Sequence, residues 1–326
     1  MPSRKTVLLS ALAIIIITLL TGTSLAAIIL ATTSNAQTTA TTTTTAPRAC
    51  NNQPSYCDRS YSDLTQVGAH NSPFVGPLPQ HNQNLPVTSQ LDFGIRFLQA
   101  QTHENPFDNS IIQLCHTSCF LENAGTLEFF LEAIRDWLDG HPNDVVSLLL
   151  TNQDSFSVSK FDETFEAAGI REYAFVPASN PGKLPMDEWP TFGELIDAGA
   201  RLVVFLDYGA NTAEVPYVLD EFAYFFETPY GVTDPTFPDC SIDRPPNASP
   251  DGRMYIVNHF LNVEIFGVKI PARERAAQTN AATGEGSIGD QCALCRSLYG
   301  RNPDVVLVDF VDQGEVLKAQ RMLNGV

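Results

Sequence analysis

Four of the six histidines in this chain fall beside short apolar runs that end in other polar residues. His70 and Asn71 follow one such run, while Gln99, Gln101 and His103 lie on or after a second. His116 follows a third, Asn258 and His259 follow a later one, and Asp309 ends the last. Thr151, Asn152, Asp154 and Asp207 occupy equivalent places. Two imidazoles at one rim can divide the work of cleaving a phosphodiester. One takes a proton from the attacking hydroxyl, and the other protonates the leaving oxygen. Histidine suits both tasks because its ordinary pKa of about 6.5 leaves either form populated. A carboxylate beside one imidazole fixes its tautomer, and Asp309 is placed to do this for His70. A lone histidine at any of these places reads as a structural group; the convergence of four reads as a site.

The elements that must carry these residues follow from the apolar pattern. Strand-like runs cover residues 64–67, 95–101, 111–115, 145–151, 202–207, 255–258 and 305–310, with a weaker eighth at 173–176. The unbroken apolar stretches 148–150 and 305–308 suit strands covered on both faces. Between the strands lie helical patterns, notably 126–138 with Leu127, Phe130, Leu131, Ile134 and Leu138 on one face, and a last helix at 315–323. This alternation predicts a single-domain α/β fold, a TIM-type (β/α)8 barrel whose chemistry gathers where the strands end. Gly284, Gly286 and Gly289 fit G-x-G-x-x-G, but the segment follows no strand and opens no clear helix, so it reads as a loop.

Around the same residues the sequence resembles the catalytic barrel of phosphatidylinositol-specific phospholipase C and its secreted phosphodiesterase relatives. Val67-Gly68-Ala69-His70-Asn71-Ser72 resembles the first histidine motif of that family. The run from Leu91 through Arg96 to Gln99 resembles its second-strand motif, and Gln113-Leu114-Cys115-His116 its second histidine motif. Trp137, the strand ending at Leu150, and Val308-Asp309-Phe310 continue the likeness, which spans about residues 60–310. The resemblance implies His70 as general base, His116 as general acid, Asp309 as the partner of His70, and Asn71 as a residue that orients phosphate or binds metal. In the metal-independent members an arginine stands where Gln101 aligns. In the calcium-dependent members acidic ligands stand at the places of Gln99, Gln101 and Thr151. Calcium takes about six to eight oxygens, usually including carboxylates, so no cofactor is expected, with Ca²⁺ and Mg²⁺ left open. His103 or His259 is expected to supply the missing positive charge.

Acidic residues outnumber basic ones by 37 to 19, giving a net charge of −18 that argues against a nucleic-acid partner. A hydrophobic content of 44% excludes global disorder. Arg4 and Lys5 precede an apolar run, so residues 1–36 read as an export signal, with an uncleaved single-pass anchor as the alternative. Residues 37–48 read as a Thr-rich linker and residues 49–326 as the barrel. Asn247-Ala248-Ser249 is an N-glycosylation acceptor. Seven cysteines in an exported chain read as disulfides with one left over. The expected pairs are Cys50–Cys57 and Cys115–Cys119, with Cys240 joined to Cys292 or Cys295. Zinc is the rival reading for Cys292 and Cys295, but there is no second CxxC to complete four ligands.

The leading expectation is a secreted phosphodiesterase of phospholipase C type. Its substrate would be a phosphodiester, a phosphoinositide or another phospholipid, met at a transient membrane surface. Two other readings stay open. One is a degenerate barrel that binds phosphorylated lipid or glycan without turnover. The other is a metal-dependent glycerophosphodiesterase or sphingomyelinase-D-like enzyme, which needs an acidic metal cluster where Gln99 and Gln101 stand.

Overall fold

The computed structural model describes residues 47–326. The expected export signal and all but the last two residues of the Thr-rich linker lie outside them. In chain order the strands are β1 (Gln66–Ala69), β2 (Phe97–Asn105), β3 (Asp108–Cys115), β4 (Asn123–Thr126), β5 (Val146–Asn152) and β6 (Leu202–Leu206). They continue with β7 (Val218–Asp220), β8 (Phe225–Glu227), β9 (Met254–Asn258), β10 (Asn262–Ile265), β11 (Val268–Pro271) and β12 (Val305–Val308). Eight of these strands are parallel neighbours in the order β7-β6-β5-β2-β1-β12-β9-β8, a TIM-type α/β barrel. The ends of this path, β7 and β8, are joined by the single turn α5 (Glu221–Tyr224) and are not paired with each other.

Side-chain alternation along each strand decides what faces the lumen. Val146, Leu148 and Leu150 on β5, and Val306 and Val308 on β12, point outward into one hydrophobic cluster. There they meet α1 (Val87–Phe93), α2 (Leu127–Gly140) and α3 (Val158–Ala167) on one side of the barrel. Beyond α4 (Phe192–Asp197) and α6 (Ala276–Thr279), α7 (Ile288–Tyr299) and α8 (Val316–Asn324) cover the other. The alternate residues Phe97, Leu149, Phe205, Ile256, Val305 and Leu307 join a second cluster inside the barrel. Tyr61, Trp189 and Phe192 belong to that inner cluster, with Tyr61 stacked 4.7 Å from Trp189. Carried two residues further along each strand, and four on β2, the inner parity reaches Gln99 and Gln101, Thr151, Asp207, Asn258 and Asp309. Gly68 keeps β1 on the same parity, since a Cβ there would come within 2.9 Å of Leu307 and 3.0 Å of Phe97.

Three expectations need correction. The segment 111–115 is not a barrel strand: β3 runs antiparallel to β2, and β4 runs antiparallel to β3. The eighth strand is not 173–176, which holds a 3₁₀ turn (Arg171–Tyr173) and one isolated bridge from Ala174 to Leu202. β7 and β8, three residues each, take the places of these two segments; such short runs carry no periodicity to read. The glycine motif does open a helix, because Ser287 caps α7 by accepting from the Asp290 N–H. It still follows no strand, and two of its glycines serve packing: a Cβ on Gly286 would lie 1.9 Å from the Pro235 carbonyl, and one on Gly289 2.2 Å from the Ala282 carbonyl.

Candidate active site

β1 and β12 are hydrogen-bonded neighbours, so the residues just past their ends must meet. His70 Nδ1 lies 2.8 Å from Asp309 Oδ1. A carboxylate only accepts, so Nδ1 carries the proton and Nε2 is left as the basic nitrogen of the neutral ring. Phe260 stacks on the other side of the geometry, its ring parallel to the imidazole with centroids 3.6 Å apart. His70 lines a cleft of about 640 Å³ at the C-terminal end of the barrel strands.

His116 lines the same cleft from the loop beyond the β2–β3 hairpin. Cys115 and Cys119 are bridged across this loop, with Cα atoms 4.8 Å apart, and the His116 N–H donates to the Glu122 carbonyl at 3.2 Å. Burial pushes the His116 imidazole down to about 4, helped by the neighbouring His70 and His103 and opposed by Asp309. Its charged form therefore dwindles as pH rises through that value. An anionic diester beside it restores the proton by supplying the opposite charge. We expect the limb of the rate profile that His116 governs to lie at higher pH in kcat than in kcat/KM, because the bound anion holds its proton. Steady-state profiles of both constants check this, and coincident limbs would contradict it.

Gln99 and Gln101 line the cleft from β2, with Asn71 buried behind them. The Asn71 N–H donates to Gln99 Oε1 at 2.7 Å, and Gln101 Nε2 donates to Asn71 Oδ1 at 3.1 Å. The Gln99 and Asn71 side-chain oxygens are neutral and each already accepts an N–H. The set does not fit a calcium centre, which draws its affinity from charged oxygens. The cleft's carboxylates lie further round the barrel. Asp207 accepts from the N–H groups of Asn152 and Tyr208 at 2.6 and 2.7 Å, and its carboxyl is raised to about 6 by burial against that support. Glu227 pairs with Arg244, and burial beside Glu227 holds the Glu221 carboxyl well above the usual carboxylate range.

The two histidines expected to supply charge are placed elsewhere. His103 Nδ1 sits 3.2 Å from Asp154, its Nε2 is buried without a partner, and the ring does not line the cleft. His259 is fully buried with Gln291 on one ring nitrogen and the Thr279 carbonyl on the other. Asn258 has the inner parity, so its neighbour His259 turns outward into the helical layer. Arg244 and Lys269 line the cleft instead. Arg244 belongs to the segment joining β8 to β9 and lies 4.7 Å from the Tyr230 ring; Lys269 lies on β11 and donates to the Gly231 carbonyl at 2.6 Å. Neither follows a barrel strand directly, so no strand-end rule points to them.

The cysteines form Cys50–Cys57, Cys115–Cys119 and Cys240–Cys295, leaving Cys292 free and buried. The Cys240 bridge removes Cys295 as a thiolate, and with it the zinc reading.

The domain profile described as PI-PLC X 1 matches residues 56–324. The chain is 56% identical over 278 residues to a protein of Arthroderma benhamiae named PI-PLC X domain-containing protein 1, covering 85% of this chain and 90% of that protein. It is 45% identical over 277 residues to an uncharacterized secreted protein of the same organism, covering 82% of this chain and 61% of that one. In fold it is similar to the phosphatidylinositol-specific phospholipase C from Listeria monocytogenes, with a TM-score of 0.51 at 15% identity over 83% of this chain and 95% of that one.

Proposed function

Since this chain belongs to the PI-PLC X family, we propose that it is an exported phosphodiesterase of phospholipase C type in which His70 and His116 act as general base and general acid. The observation that carries this reading is the His70–Asp309 contact of 2.8 Å at a cleft that His116 also lines. His70 Nε2 takes the proton of a hydroxyl adjacent to the phosphate on the substrate's head group. That oxygen bonds to phosphorus, the bond to the leaving oxygen breaks, and His116 delivers a proton to it. The products are a cyclic phosphate and the freed alcohol. Asp309 holds the ring while it carries the extra proton. Arg244 and Lys269 supply the cationic side of the cleft, in place of the arginine that other members carry where Gln101 stands here.

A lipid-derived diester is supported by the rim. Phe107 and Phe120 meet edge to face on the β2–β3 side and are 88% and 79% exposed. Phe266, between β10 and β11, is fully exposed. With a net charge of −18, the surface suited to these rings is a neutral lipid layer. Export is supported by the disulfides and by the basic and apolar start of the chain. Among the described residues no helix is long and apolar enough to cross a membrane. Asn247 is exposed, as a glycosylation acceptor must be.

A panel of phosphodiesters, offered in solution and in neutral vesicles with and without chelator, tests the reading. Turnover of an inositol diester is expected to survive chelator with its rate unchanged. Activity abolished by chelator and restored by calcium would mean that ligands other than Gln99, Gln101 and Asn71 assemble a metal centre. Binding of the vesicles with no turnover of any diester would favour the degenerate-barrel reading.

A further inference from the structure

Three consecutive residues between β1 and α1 reach His70 and the loop that carries His116. His81 Nε2 lies 3.4 Å from the buried Glu122 carboxylate, within ion-pair distance but not hydrogen-bonded to it, and the Glu122 backbone carbonyl receives the His116 N–H. His81 is fixed at its other nitrogen, which accepts from the Leu78 N–H at 3.0 Å. Asn82 is buried, and its Nδ2 donates to Asp309 Oδ1 at 2.9 Å, the same oxygen that receives His70. Its carbonyl receives the Phe310 N–H at 2.8 Å, which ties down the chain directly after Asp309. Gln83 Nε2 donates to the carbonyls of His70 at 2.8 Å and Val308 at 3.1 Å, and its Oε1 accepts from the Val311 N–H at 3.1 Å. Gly76 leaves room for this arrangement, since a Cβ there would lie 2.4 Å from the His81 ring.

Resting on the two-histidine reading above, we infer that His81, Asn82 and Gln83 form a positioning strut that sets the orientation and separation of His70 and His116. Gln83 fixes the backbone of the base, Asn82 shares the carboxylate that orients it, and His81 braces the loop that carries the acid. None of the three lines the cleft, so each acts through another residue. The design matters because misplacing a catalytic group by ~1 Å can cost about 10²-fold. The two ends of the strut should fail in different ways. Loss at Asn82 disturbs proton removal, which every substrate needs. Loss at His81 disturbs proton delivery, which matters for a poor leaving group and little for a good one. The titratable groups around the pair are Asp309 from the end of β12 and His103 from β2, with Glu122 and His81 beside the disulfide loop.

The test uses the wild type, Asn82→Ala, Asn82→Asp, His81→Ala and His81→Gln on two soluble inositol diesters, one with an alkyl and one with a nitrophenyl leaving group. His70→Ala is the control. Asn82→Ala is expected to lower kcat about 10–100-fold on both substrates with KM little changed. Asn82→Asp keeps the shape but sets a second carboxyl beside Asp309. It should move the pH profile of kcat upward by about one pH unit, because a second carboxyl adds negative charge beside the histidine pair. His81→Ala should lower kcat on the alkyl substrate at least about tenfold more than on the nitrophenyl one, with partial recovery in His81→Gln. Folded Asn82 variants with wild-type kcat and an unmoved pH profile, or equal losses on both substrates for His81→Ala, would overturn the strut. An active His70→Ala would instead overturn the catalytic reading beneath it.

Discussion

Replacing His70 or His116 with alanine is expected to lower turnover of an alkyl phosphodiester by at least about 10²-fold, the usual contribution of a positioned general acid or base. The two losses should not add, because proton removal and proton delivery serve one displacement; the double variant should resemble the worse single one. Leaving-group dependence separates the roles. A nitrophenolate departs without a proton, so His116→Ala should recover most of its rate on that substrate while His70→Ala stays slow on both. Steady-state rates of the three variants on the two diesters measure this. Near wild-type turnover in folded variants would remove the histidines from the mechanism.

Asp309→Asn is expected to cost about 10²-fold or more in kcat with KM little altered. The carboxylate, 2.8 Å from His70 Nδ1, does two things. It holds the proton on Nδ1, which leaves Nε2 free to act as base, and it opposes the positive charge that forms on the ring. Asparagine keeps the shape but can turn its amide N–H toward Nδ1, which favours the wrong tautomer. Asp309→Ala should be less informative, because it also empties a buried space beside Asn82. The check is kcat and thermal stability measured together: lost activity with an unchanged Tm fits the role, whereas full activity in Asp309→Asn would show that His70 needs no partner.

The parts of the site legible in the sequence are those that strand alternation and strand order dictate. Gln99, Gln101, Thr151, Asp207 and Asp309 share the parity of the inner cluster, and the pairing of β1 with β12 brings His70 to Asp309. His259 shows the limit of the same rule. It follows Asn258 at a strand end, but a shift of one residue turns its ring away from the lumen and toward Gln291 on α7. Arg244 was not legible because the segment between β8 and β9 has no periodicity, and its place in the cleft follows from the path of the folded chain. The same holds for Asn82, whose role depends on a contact 227 positions away in sequence. β7 and β8 are too short to register against the background of neighbouring apolar residues, and the seam between them holds Glu221 at the acidic end of the cleft.

The most direct test of the central claim follows phosphorus by NMR. The disulfide-bonded wild-type protein is incubated, in chelator, with a soluble inositol alkyl phosphodiester and with its counterpart lacking the hydroxyl next to the phosphate. Metal-free cleavage by a histidine pair is expected to convert the first to a cyclic phosphate and to leave the second intact. Failure to convert either diester, or equal conversion of both, would contradict the account.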